Sequence, residues 1–174
     1  IFGVCGGYLS FIGALIIKKE LWEPVNSEKY YGSRFIHLGV LSQIPYNSSV
    51  LIIKDPLIRI RLGNEEWGKI AFGIWYKLWP QIIGEFNGVK PLTLEKIMPT
   101  KTILNTIKLM AFNRALGSFD RRALKYFDKN KKLILLIALL VLLIPKILWR
   151  YLYYIIARMR GDETLSYHLS MSAF

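Results

Sequence analysis

The sequence predicts a mainly α-helical membrane protein: two transmembrane helices joined by a long, basic, mostly helical extramembrane region that includes an interfacial amphipathic helix. Of the 174 residues, 53% are hydrophobic and 21% are charged, and the mean hydropathy is +0.30. Two segments, residues 1–17 and 133–157, are strongly apolar, whereas residues 18–132 carry most of the charge. Such segregation along the chain is typical of a membrane protein with an extramembrane part.

The first apolar segment is predicted to be transmembrane helix 1. Residues 1–17 contain no charged side chain, and Lys18, Lys19 and Glu20 end the segment sharply. A helix of this length extends roughly 25 Å, which is close to the lower limit for crossing a hydrocarbon core of about 30 Å. The segment therefore predicts a short membrane span.

Small residues recur through this segment at spacings of three and four, which places them on one stripe of a helix. Such a stripe allows a second helix to approach closely. The predicted helix-packing residues are Gly3, Gly6, Gly7, Ser10, Gly13 and Ala14.

The stretch "GVCGGY", residues 3–8, resembles the turn that carries the nucleophilic cysteine in class I glutamine amidotransferases. In that family the cysteine is activated by a histidine in a His-x-Glu motif, because a thiol with a pKa near 8.5 needs a base at neutral pH. Neither His37 nor His168 begins such a motif, and only four residues precede Cys5. We therefore expect Cys5 to be a small residue within a packed helix.

The second apolar segment, residues 133–157, is predicted to be transmembrane helix 2 with an aromatic and basic end. Leu133 to Ile144 is unbroken aliphatic sequence, and Pro145 is expected to bend the helix or free a carbonyl. Lys146 and Arg150 are expected to reach the interface from one helix face. The aromatic belt at that interface would consist of Trp149, Tyr151, Tyr153 and Tyr154.

The basic region between the spans, residues 18–132, is predicted to be extramembrane or interfacial. Residues 65–88 contain three of the five tryptophans and are apolar around most of a helix, which predicts a helix lying at the membrane interface or against a partner. Pro99 is well placed to open a further helix, and Gly117 is a plausible end for it. Residues 158–174 are expected to form a C-terminal tail.

The net charge of +12 predicts attraction to anionic surfaces. A bound phospholipid is the expected ligand, with cardiolipin the first candidate, because a doubly anionic headgroup suits basic pockets at helix ends. Nucleic acid is a weaker candidate, since the tryptophans lie among aliphatic residues at helical spacing. The predicted lipid-headgroup residues are Lys129, Lys131, Lys132, Lys146 and Arg150.

No catalytic, cofactor-binding or metal-ligating set is predicted, because one cysteine and two separated histidines do not supply a metal site. The expected function is a non-catalytic accessory subunit of a multi-subunit inner-membrane complex, such as the mitochondrial respiratory chain or ATP synthase, with other subunits and anionic lipids as partners. The alternative is a component of a membrane transporter, channel or protein translocase. The expected location is the mitochondrial inner membrane, with another organellar or a bacterial inner membrane as the alternative.

Overall fold

The structure of the chain is a computed structural model that is mainly helical. It describes residues 6–45, 48–53, 55, 57–58, 66–86, 90, 93, 97–100 and 102–171. No strand occurs among these residues. The chain divides into two compact units. The first unit comprises Ile1–Asn64 and Leu78–Met98, and the second comprises Glu65–Lys77 and Pro99–Phe174.

The α-helices of the described residues are numbered here in chain order. They are α1 (Lys19–Trp22), α2 (Ile36–Gln43), α3 (Ala71–Gly73), α4 (Trp79–Ile83), α5 (Ile103–Leu116), α6 (Lys132–Leu143), α7 (Lys146–Met159) and α8 (Glu163–Met171). A π-helical turn, Ile74–Leu78, connects α3 to α4. Short 3-10 helices are Gly6–Ser10, Ile12–Ala14, Glu28–Tyr30, Glu66–Ile70 and Arg121–Tyr126.

The N-terminal segment does not form the expected continuous helix over its described residues, 6–17. Two 3-10 turns are separated by Phe11, whose extended backbone (φ −99°, ψ 111°) interrupts the helical hydrogen bonds, and the chain is extended again at Leu15. Glycines favour this outcome because each one in a helix interior costs about 1 kcal/mol relative to alanine. The small residues between Gly6 and Ala14 therefore lie on two separate 3-10 turns and not on one continuous α-helix.

The tryptophan-rich segment differs from the expected interfacial helix, because many of its described apolar side chains are buried inside the protein. Phe72 on α3 belongs to the core of the second unit, and Trp79 and Ile83 on α4 belong to the core of the first. The Trp79 indole donates to the carbonyl oxygen of Ile97 at 2.9 Å and meets Phe35 edge to face at 5.4 Å between ring centroids. This segment is apolar around most of its helical surface because several of its side chains are buried against other parts of the protein.

Helix α5 begins later than Pro99 suggested and ends where Gly117 predicted. The side chain of Thr102 accepts a hydrogen bond from the backbone N–H of Asn105 at 3.0 Å, which caps the first turn. Gly117 has a φ of 88°, the left-handed conformation that terminates many helices. Helices α6 and α7 both pack against α5.

The second unit has an aromatic core. Phe72 lies at 4.6 Å from Phe119 and 5.6 Å from Phe127 between ring centroids, and α6 contributes Ala138 and Val141. Aromatic pairs at these separations stabilise a core beyond their area burial.

Pro145 breaks the second apolar segment, as its position predicted, so α6 and α7 meet at 90°. A proline lacks the backbone N–H that would bond to the carbonyl four residues earlier, which is that of Val141. The indole of Trp149 donates to that carbonyl oxygen at 3.2 Å. The aromatic residue expected in an interfacial belt thus satisfies the carbonyl that proline leaves open.

The C-terminal tail contains a helix, α8, that was not predicted from the sequence. Asp162 accepts a hydrogen bond from the backbone N–H of Leu165 at 2.9 Å, and Glu163 lies in the first turn of α8. An acidic cap and an acidic first turn are ordinary helix-start signals. Helix α8 packs on α7.

Candidate functional site

The most unusual surface of the second unit is a set of large apolar side chains exposed along α6 and α7. Leu143, the last residue of α6, is 77% exposed, and Ile147, in the first turn of α7, is 70% exposed. The exposed apolar surface therefore continues on both sides of the bend. We call this set the apolar face. It consists of Leu133, Leu136, Leu139, Leu140, Leu143, Ile144, Ile147, Leu148, Tyr151, Leu152, Ile155 and Met159.

The buried sides of the same helices carry smaller residues than the exposed sides. Ala138 and Val141 of α6 and Ala157 of α7 are buried, whereas leucine and isoleucine face outwards. A protein surrounded only by water buries its largest aliphatic side chains first. Contiguous exposure of this kind is expected where lipid or another protein covers the surface.

Within the described residues, no single helix is long and apolar enough to cross a membrane. Helices α6 and α7 satisfy the length and hydropathy criteria only when taken together, across their 90° bend. Helix α6 has 12 residues, so it extends about 18 Å, against about 30 Å for a hydrocarbon core. The structure therefore contains no straight span over residues 133–157.

The predicted lipid-headgroup residues fall into two separate groups. Lys129, Lys131 and Lys132 are exposed at the start of α6, whereas Lys146 and Arg150 follow its other end. The two groups are therefore separated by the length of α6, about 18 Å. Cations at a helix N-terminus oppose the helix dipole, so this lysine cluster does not serve the stability of α6.

Arg114 is a basic residue that the sequence reading missed and that the structure places beside Lys146 and Arg150. Its guanidinium donates to the carbonyl oxygen of Leu142, the last but one residue of α6, at 3.3 Å. Both Arg114 and Arg150 repel the Lys146 ammonium electrostatically. No spacing in the sequence signals this group, because α5 and α7 are distant along the chain.

The described residues of the predicted helix-packing set have different surroundings. A Cβ on Gly6 would lie 2.9 Å from Cγ2 of Ile97, so this glycine accommodates another segment of the first unit. A Cβ on Gly13 would lie 2.7 Å from ring atoms of Phe11, so this glycine accommodates a side chain of its own segment. Ala14 is exposed. Gly3 and Cys5 lie outside the described residues.

The first unit contains a polar network around Glu85. Its carboxylate accepts hydrogen bonds from the Tyr30 hydroxyl at 2.6 Å and from the Lys29 ammonium at 2.8 Å. The bond from Lys29 and then that from Tyr30 lower the pKa of Glu85, and the bond to Glu85 raises the pKa of Lys29. This network joins segments 55 residues apart and is a structural feature of the first unit.

His37 is buried in the first unit, where its Nε2 lies 2.9 Å from the carbonyl oxygen of Leu9. Since a carbonyl oxygen only accepts, Nε2 carries the proton and donates. Burial lowers the pKa of His37 more than this hydrogen bond raises it. His37 is thus a neutral, hydrogen-bonded core residue. Among the described residues, no group of three His, Cys, Asp or Glu side chains is arranged to hold a metal ion.

The chain matches no protein family model, no curated protein and no solved structure.

Proposed function

We propose that this chain is a non-catalytic accessory subunit of a multi-subunit inner-membrane complex, attached to the membrane through the apolar face of α6 and α7. The observation that carries the proposal is the outward orientation of the large aliphatic residues on both helices. The proposed location is the mitochondrial inner membrane, in a respiratory complex or ATP synthase. The strong basic charge favours an anionic lipid surface.

Contact with a membrane would stabilise the apolar face relative to exposure to water. Fully burying one large aliphatic side chain contributes about 1.5–3 kcal/mol, and the residues of the apolar face, which are 37–83% exposed, would gain a proportionate share of this in the acyl region. Each basic residue near an anionic surface adds about 1 kcal/mol. The lysines at the start of α6 would then lie at the headgroups and the apolar face in the acyl region.

The 90° bend and the basic residues at both ends of α6 favour two helices that lie in the interface plane over a full crossing. A helix of about 18 Å reaches little more than half of the hydrocarbon core. Helix α7 carries apolar residues on one side and Lys146, Arg150 and Arg158 along its length. Such a distribution suits a helix lying in the interface plane.

Nucleic acid is a weaker partner in this proposal. Stacking with bases needs exposed aromatic faces on a basic surface. Trp79, in the tryptophan-rich segment, is 1% exposed and buried in the first unit. The partners we propose are other subunits of the complex and anionic lipids.

The test is comigration with a membrane complex. Tagged chain is extracted in mild detergent, separated on a native gel and analysed by mass spectrometry. We expect it in a large assembly, and expect the double variant Leu143→Gln, Ile147→Gln to leave that assembly. The matched control is Leu51→Gln, Leu57→Gln, two equally exposed aliphatic residues of the first unit. Migration of the unmodified chain as a free small protein would contradict the proposal.

A further inference from the structure

The bend between α6 and α7 is larger than a proline alone requires. Proline removes one backbone donor, and many helices continue past it with a kink. Here two consecutive residues leave the helical conformation: Ile144 has φ −73° and ψ 126°, and Pro145 has φ −53° and ψ 138°. The helices therefore meet at 90°. The last carbonyl oxygens of α6 consequently need donors from outside that helix.

Side chains of α5 and α7 supply two of these donors. The Trp149 indole on α7 donates through Nε1 to the carbonyl oxygen of Val141 at 3.2 Å. The Arg114 guanidinium on α5 donates through Nη2 to the carbonyl oxygen of Leu142 at 3.3 Å. Its Nη1 donates to the carbonyl oxygen of Phe119, just beyond the end of α5, at 3.4 Å. One guanidinium thus joins the ends of α5 and α6, and one indole joins α7 to α6.

The helices on both sides of the bend are also packed against α5. On α7, the ring of Tyr153 meets Phe112 edge to face at 5.4 Å between centroids, and its hydroxyl donates to the carbonyl oxygen of Lys108 at 3.1 Å. On α6, Val141 belongs to the aromatic core, against which Trp149 packs. Straightening the two helices would therefore break hydrogen bonds and packing contacts together.

The same two helices would be long enough to cross a bilayer if they were straight. One continuous helix from residue 132 to residue 158 would extend about 39 Å, against about 30 Å for the hydrocarbon core. The pair also meets the length and hydropathy criteria for a span when it is taken as a unit. The bend, and not the composition, therefore separates a crossing from contact with one side of a membrane.

We propose that Trp149 and Arg114 hold the bend between α6 and α7, so that the two helices contact one leaflet of a membrane and do not cross it. Both are positioning residues, which act through the carbonyl oxygens of Val141 and Leu142 and need no contact with lipid. In the acyl region no water replaces a lost donor, so these hydrogen bonds matter most there. The contact with a leaflet rests on the proposed membrane attachment, whereas the bend depends only on contacts within the second unit.

The experiment measures the distance between two spin labels on the full chain. The labels are attached at Lys132→Cys and Arg158→Cys, both exposed positions, with Cys5→Ser to remove the native thiol. A right angle between legs of about 18 Å and about 21 Å places the labelled backbone positions about 28 Å apart, whereas a straight helix places them about 39 Å apart. We expect about 28 Å in mild detergent and on vesicles of phosphatidylcholine with cardiolipin. A distance near the straight value in either medium would overturn the proposal.

The double variant Trp149→Phe, Arg114→Lys retains a ring and a positive charge but removes the indole donor and the forked guanidinium. We expect it to lengthen the distance by about 10 Å in detergent and on vesicles. The control, Tyr153→Phe, removes a hydrogen bond between α7 and α5 away from the bend and retains the ring contact with Phe112. It should keep the distance of the unmodified chain. An unchanged distance in the double variant, or an equal change in the control, would overturn the roles of Trp149 and Arg114.

Flotation of the labelled chain with the same vesicles separates this inference from the proposed attachment. We expect the unmodified chain, the variant and the control to float, because all three retain the apolar face. Absence of flotation in all three would contradict the membrane attachment and the contact with one leaflet. The distances in detergent would then decide by themselves whether Trp149 and Arg114 hold the bend.

Discussion

Both units of this chain leave large apolar side chains exposed, but they differ in the buried contacts that join their segments. The first unit buries His37 and the Tyr30 hydroxyl and satisfies them with Leu9 and Glu85. The second unit has an aromatic core around Phe72 and leaves leucines on its surface. Buried polar networks depend on every member having its partner, whereas an exposed apolar surface depends on its surroundings.

This difference suggests different tasks for the two units. Hydrogen bonds between distant segments, such as that from Tyr30 to Glu85, fix how the first unit folds. The core of the second unit does not include the large exposed residues of α6 and α7. Those residues are therefore available to contact a lipid or another protein. Substitutions that separate core from surface in each unit test this comparison.

The largest effect is expected for Phe72→Ala in the core of the second unit. Phe72 is fully buried and meets Tyr76, Phe119 and Phe127. Loss of the ring should lower the free energy of unfolding by about 3–5 kcal/mol. Denaturant unfolding in mild detergent measures it. Leu136→Ala, at an exposed position of α6, should change stability by no more than about 0.5 kcal/mol. Equal losses in the two variants would show that α6 is covered within the protein.

A smaller effect is expected for Gly39→Ala in the first unit. A Cβ at this position would overlap the ring of Tyr30. Because Tyr30 is held by Glu85, the ring has little room to move, and we expect a loss of about 1–3 kcal/mol. Amide hydrogen exchange, followed residue by residue, should show the loss in the first unit. Gly68→Ala, where nothing lies within 4 Å, is the control and should leave exchange rates unchanged.

The smallest effect is a pH dependence confined to the first unit. Burial places the pKa of His37 below its ordinary value of 6.5, so the unfolded chain binds the proton more readily. Neutral His37 therefore makes its full contribution to the free energy of unfolding above pH 6.5, and this contribution is lost as the pH falls below 6.5. Hydrogen exchange at pH 7.5 and 5.5, corrected for intrinsic rates, measures this change. His37→Gln, which keeps a donor for Leu9, should remove the dependence, and an unchanged dependence would contradict the assignment.

Local signals in the sequence located several elements well. The unbroken aliphatic run predicted α6, Pro145 predicted the break after it, and Gly117 predicted the end of α5. Each of these follows from one residue type acting on its own backbone, through a missing N–H or a positive φ. Asp162 and Glu163 at the start of α8 are a local signal of the same kind, and they indicate the start of a helix that was not predicted.

Tertiary arrangement was much less predictable. Apolar content alone did not distinguish a membrane span from the mixed 3-10 and extended chain of residues 6–17, nor an interfacial helix from the buried one that carries Trp79. Of the candidate site, Lys146 and Arg150 were predicted from their spacing on a helix. Arg114 was not, because its position beside them depends on how α5 packs against α6 and α7.

The right-angled break at Pro145 bears on how the protein would reach a membrane. A chain that crosses a bilayer must carry one of its polar flanks through the hydrocarbon, which requires translocation machinery. With α6 and α7 both lying in the interface plane, the lysines at the start of α6 and Arg158 and Arg160 at the end of α7 would stay in the same compartment. Attachment of this kind would not require the charged flanks of α6 and α7 to cross the hydrocarbon.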